Sequence, residues 1–212
     1  MEGTGAARAW WWWVAVAAAG LAVGLPFVAA TGFPGYSHRS QYISELGAQG
    51  APDGALVSAG FVLVGLLLLA STAGAVRVLA VAAPLTLAGA VAVGLVGGGL
   101  GGSYAITGVA RCDAGCPEVG DVSTAQQVHN LVGSLGYVLA IGGVILFGVA
   151  ARRVPRRGPL AGAGLALAPV LVVVAGLVTV LDDWRGLLQR GLEVLLLAWL
   201  LAVVARLPHG EP

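Results

Sequence analysis

Residues Ala55 to Val76 read ALVSAGFVLVGLLLLASTAGAV, with no ionisable side chain among them. A helix rising ~1.5 Å per residue over that length crosses the roughly 30 Å hydrocarbon core of a bilayer. Working outward from it, five further apolar runs complete a set of spans at about 10–30, 55–76, 79–100, 128–150, 159–181 and 187–206. Over all 212 residues, 58% are hydrophobic and only 10% charged. Mean hydropathy is +0.91, which excludes an ordinary soluble domain. The expected fold class is all-α: one membrane domain over residues 1–212, a polytopic transmembrane bundle of six helices with the lipid bilayer as its main partner.

Six spans bring both termini to one side. Arg8, Arg77, the cluster Arg152, Arg153, Arg156 and Arg157, and Arg206 fall there, and the positive-inside rule makes that side the cytoplasm. The expectation is a multi-pass protein of the plasma (inner) membrane with both termini cytoplasmic. Two long outward-facing loops, 31–54 and 101–127, lie on the other face beside the short turn 182–186. The four-arginine cluster reads as a topology anchor. Arg8 ahead of an apolar run has the layout of a signal peptide, but a run of ~20 residues suits a retained span better. Net charge is +1 and the eleven basic residues, all arginine, are dispersed, so nucleic acid is not an expected partner.

The third span closes on Gly94-Leu95-Val96-Gly97-Gly98-Gly99-Leu100-Gly101-Gly102. Within lipid, helices associate through close packing, and small residues four apart let backbones approach. Packing inside one chain is the preferred reading; a homo-oligomer through Gly94, Gly98 and Gly102 is the alternative. Pro26, Pro84 and Pro169 are expected to kink or bound their helices. The run Trp10 to Trp13 suits the headgroup layer as an anchor.

A charge at the centre of a span is penalised by about 2.5 kcal/mol or more, so the few polar residues near the outer ends are the candidates for function. The first outward loop carries Phe33 to His38 and then Ser40 to Ala48, with a short interfacial helix expected over Ser40–Leu46. The second begins Arg111-Cys112-Asp113-Ala114-Gly115-Cys116-Pro117 and ends Gln127-Val128-His129-Asn130. The last span adds Gln189, Arg190 and Glu193, the latter two on one helical face where they can pair. Binding-pocket candidates are thus His38, Arg39, Ser40, Ser44, Glu45, Asp113, His129, Gln189, Arg190 and Glu193. Cys112 and Cys116 are the only cysteines. On an oxidising face a disulfide is the first choice, with redox chemistry, metal ligation or free thiols as alternatives.

Three motifs carry a resemblance over nearly the whole chain: Phe33-Pro34-Gly35-Tyr36-Ser37-His38 with Ser40 to Ala48, Cys112-Asp113-Ala114-Gly115-Cys116-Pro117, and Gln127-Val128-His129-Asn130. With Gln189-Arg190 near the last span, they resemble the bacterial DUF998 membrane proteins, a family of unknown function. Ile43-Ser44-Glu45-Leu46-Gly47 is also distantly similar to the six-span Frag1/DRAM group. The resemblance implies a six-span membrane protein and names no reaction.

Three readings follow. The leading one is an outward-facing polar pocket, lined by Arg190, Glu193, His129, Glu45 and Arg39, that binds or transports a lipid headgroup or small polar solute. The second is a membrane-embedded hydrolase at the outer surface. In its metal-dependent form His38, His129, Asp113 and Glu45 gather round one ion, whose bound water becomes a nucleophile near neutral pH. No H-x-x-x-H or H-E-x-x-H spacing supports that, so neither cofactor nor metal is expected, with His38, Asp113 and His129 as weak ligand candidates. A metal-free variant would use Ser40 or Ser44 with His129 as base, without a nucleophile elbow around either serine. The third is a structural membrane protein in which Arg190 and Glu193 pair with each other or with Asp182 and Asp183 to fix the last two helices. Alternating access would favour an internal repeat, and Ser37 to Ala48 has no counterpart after the fourth span.

Overall fold

A computed structural model describes residues 10–81, 84–152 and 159–205. Arg8, Arg153, Arg156, Arg157, Arg206 and His209 lie outside the described residues. The architecture is all-helical: α1 (Trp10–Thr31), α2 (Gly54–Val81), α3 (Pro84–Val109), α4 (Thr124–Ala151), α5 (Pro159–Val178) and α6 (Arg185–Val204), with short 3-10 turns at Ile43–Gly47 and Asp182–Trp184. Five of these helices are long and apolar enough to cross a membrane by length and composition. α5 supplies a shorter apolar helix over Gly162–Val178. The six-helix, strand-free reading is borne out, and the fold is compatible with a multi-pass membrane protein.

Each helix packs on its chain neighbours, and α1 meets α6 more sparsely to close the ring. Val64 and Leu68 of α2, Val93 and Val96 of α3, Leu171 of α5 and Leu192 and Leu196 of α6 are fully buried at its centre. Backbones approach closely where glycines face each other. A Cβ on Gly99 of α3 would sit 2.9 Å from the Gly136 carbonyl of α4, and one on Gly136 would sit 2.9 Å from the Gly99 carbonyl. Gly97 packs instead against the Thr72 side chain of α2. Gly98 and Gly102 meet nothing within 4 Å, and Gly94 only Val76. The glycine run therefore packs inside the chain through Gly97, Gly99 and Gly101.

Several boundaries differ from expectation. α3 does not end at the glycine run but continues to Val109, and α4 starts at Thr124. The second loop is therefore 110–123, not 101–127: glycine is a poor helix former in water but a packing residue between close helices. α2 likewise runs through Arg77 to Val81, so the reversal falls after Arg77 rather than around it. In the first loop the helical turn is a 3-10 segment shifted to Ile43–Gly47.

Candidate functional site

Both long loops and the 182–184 turn meet at one end of the bundle and form a cap. Arg111 ties them together: its Nε donates to the Gly47 carbonyl at 2.8 Å and its Nη2 to the Ala48 carbonyl at 2.6 Å. The Gln49 N–H donates to the Cys112 carbonyl at 2.8 Å. Asp113 accepts from the N–H and hydroxyl of Ser123 at 2.8 and 2.6 Å and from Gln49 Nε2 at 3.2 Å. The Ser123 bonds hold its carboxyl below the usual range. Ser123 also caps α4, accepting from the Gln126 N–H at 3.1 Å. Cys112 and Cys116 form the expected disulfide, Cα to Cα 5.0 Å, next to Ser44.

Within the first loop the polar side chains mostly satisfy their own backbone. Buried Glu45 accepts from the Tyr42 N–H at 2.9 Å and from Gln41 Nε2 at 2.7 Å, fastening the 3-10 turn. Ser40 offers its carbonyl to Arg185 Nε at 3.1 Å, and Arg39 offers its own to the Leu187 N–H while its guanidinium lies over Trp184. Tyr42 donates to Glu118 at 2.5 Å, and burial together with that carboxylate pushes its phenol up. His38 packs between Phe27 and Tyr36, and its buried Nδ1 finds no partner among the described residues. Desolvation, then the nearby Arg190 charge, lowers its pKa.

From α6, Arg190 reaches up into this loop. Nη1 donates to the carbonyls of His38 at 3.0 Å, Gln41 at 3.1 Å and Gly186 at 2.8 Å, and Nη2 donates to the Tyr36 hydroxyl. Burial outweighs Arg190 and pushes the Tyr36 phenol up to about 12. Nε of Arg190 is buried without a partner among the described residues. One turn deeper, Glu193 accepts from Tyr104 of α3 at 2.6 Å and from Tyr137 of α4 at 2.5 Å. Gln189 extends the chain upward, donating to Tyr137 at 3.2 Å and accepting from the Ile43 N–H at 2.9 Å. The ion pairs among the described residues join Arg185 to Glu118 and to Asp182, both at 3.6 Å; Arg190 and Glu193 do not pair with each other. Tyrosine hydroxyls and backbone carbonyls take those places.

Two adjacent cavities share Ile43 and Glu193 in their linings. One, of about 70 Å³, is a polar chamber under the cap, lined by Ser44, Ser103, Tyr104, Thr107, His129 and Tyr137 among others. The other, of about 390 Å³, is an apolar groove along the α1–α6 seam, where Val23, Pro26, Phe27 and Val194 face Arg190 and Glu193.

The structure thus brings His129, Gln189, Glu193 and Ser44 to the chamber and Arg190 to the groove. Arg39, Ser40, Glu45 and Asp113 belong to the cap. The one group of three metal-capable side chains among the described residues is Cys112, Cys116 and His129, within 4.8 Å of one another. His38, Asp113 and Glu45 are not in it. The disulfide takes both sulfurs out of ligation, since the thiolate is the ligand form. His129 Nδ1 lies 2.8 Å from the Ala110 carbonyl, which can only accept, so that nitrogen carries a proton. Tyr36, Tyr104, Tyr137, Gln41 and Arg111 were not singled out from the sequence. A signal existed for two of them, because a phenol inside an apolar span needs a polar partner, and Glu193 was the acceptor at hand.

No curated protein and no solved structure matches the chain. The family described as "Protein of unknown function (DUF998)" matches residues 5–206, nearly the full length, and the chain belongs to that family.

Proposed function

We propose that the protein binds a membrane amphiphile, with an acyl chain in the α1–α6 groove and the polar head drawn under the loop cap on the outward face. The observation that carries this reading is that the two cavities are adjacent, with Ile43 and Glu193 lining both. An apolar groove within the spans lies beside a chamber lined by hydroxyls, an imidazole and a carboxylate, which is the polarity sequence of a lipid. A groove of about 390 Å³ is within the range of sites for small ligands. Its position at the seam gives it a lateral path from the acyl-chain region, so a guest need never cross water. The cap supports preorganisation: Arg190 and Gln189 hold the first loop in place through backbone groups before any guest arrives.

The test is lipid retention. Full-length protein purified from membranes into mild detergent is delipidated in steps and read by native mass spectrometry. Wild type is expected to keep about one lipid per chain after bulk lipid is gone. Gly191→Leu, at a position with open space around a Cβ, should fill the groove and remove that lipid while leaving helical content unchanged. Equal retention by both proteins would refute the reading.

A further inference from the structure

The site carries its charges in a fixed order. Arg190 lines the groove, is more than nine-tenths buried, and holds a buried Nε–H without a partner among the described residues. Glu193 lies one turn further, at the boundary with the chamber, buried and with no cation within ion-pair distance among the described residues. The chamber beyond it is lined by hydroxyl oxygens, the His129 imidazole, the Gln189 amide and the apolar side chains of Ile43 and Phe61, with no arginine, and the chain contains no lysine. A carboxylate in a span whose nearest described cation, Arg190, lies a turn away and out of contact is expensive, and the described residues that donate to it do so through hydroxyls.

We propose, resting on the amphiphile reading, that the guest is a phospholipid whose head ends in a primary ammonium. The ammonium enters the chamber and donates to Glu193 and its neighbouring hydroxyls. A phosphate oxygen accepts from Arg190 Nε, and one acyl chain follows α1. Hydrogen bonding sets the selectivity. A primary ammonium offers three N–H donors to Glu193 and the hydroxyl oxygens beside it, whereas a trimethylammonium offers none and gains no hydrogen bond from them. Size agrees: about 70 Å³ holds a few water-sized groups, which suits an aminoethyl end.

The experiment loads delipidated full-length protein from micelles holding equal amounts of ethanolamine-, choline- and glycerol-headed phospholipids, and reads retained lipid by native mass spectrometry. The expected result is about tenfold enrichment of the ethanolamine-headed lipid over the choline-headed one. Enrichment should fall stepwise with N-methyl and N,N-dimethyl heads, and it should collapse towards onefold in Glu193→Gln. The methylation series uses wild type alone, so the proposal stays falsifiable should Glu193→Gln not accumulate. Retention without headgroup preference overturns this inference and leaves the amphiphile reading standing; no retained lipid at all overturns both. Free ethanolamine is the control for a soluble source. Thermal stabilisation by ethanolamine alone, with no lipid enrichment, would assign the chamber to a soluble amine and overturn the lipid.

Discussion

Arg190 shows how one side chain can organise a loop about 150 positions away in sequence. Three carbonyls and a phenol converge on its two terminal nitrogens, a fan that a lysine's single ammonium cannot reproduce. Arg190→Lys should therefore lower stability by about 1–3 kcal/mol through unpaired buried carbonyls, read as a drop in thermal midpoint in detergent. His38, in contact with the same region, makes stability depend on pH. Its folded pKa lies below the ordinary 6.5, so the unfolded chain binds the proton more readily. The contribution is complete above about 6.5 and declines as the pH falls through that value towards the lower folded pKa. His38→Phe, which keeps a ring against Phe27, should flatten the denaturation midpoint between about pH 7 and 5; an unchanged slope would show that His38 is not the titrating group.

Between elements, glycine does two jobs that look alike in sequence. Gly136→Leu should force α3 and α4 apart and reduce the yield of folded protein, whereas Gly98→Leu, with open space around it, should leave thermal stability of the monomer unchanged. The disulfide spans a separation of only four residues, so its closure entropy is smaller than the ~3 kcal/mol of a 15-residue loop. Reduction should leave helical circular dichroism intact and make both thiols reactive to maleimide, while unreduced protein should not label. These elements also mark what the sequence made legible. Hydropathy found all six helices because a span must be apolar along its whole length. It missed where α3 ends because glycine breaks helices in water and packs them in lipid, and composition alone does not distinguish the two. For the site, Arg190 and Glu193 stood out as charges in an apolar run, but their partners did not: tyrosines on α3 and α4 and carbonyls of a distant loop become neighbours only through tertiary packing.

Across the molecule, most polar contacts among the described residues gather at one end: the cap holds both long loops, the disulfide and the described ion pairs. The proposed orientation puts that end outside. Val119→Cys, highly exposed in the second loop, should label with an impermeant maleimide in intact cells, whereas Arg152→Cys at the far end of α4 should label only after lysis. The reverse pattern would turn the protein over and place the site in the cytoplasm. The contacts that seat the first loop come largely from α6, through Arg185, Leu187, Gln189 and Arg190. A ribosome delivers that helix after the other five. Until then the nascent chain holds its first loop through contacts that include those of Arg111 and Gln49, and a product truncated before Arg185 would keep five helices but lose Gln189, Arg190 and Glu193 from the proposed site.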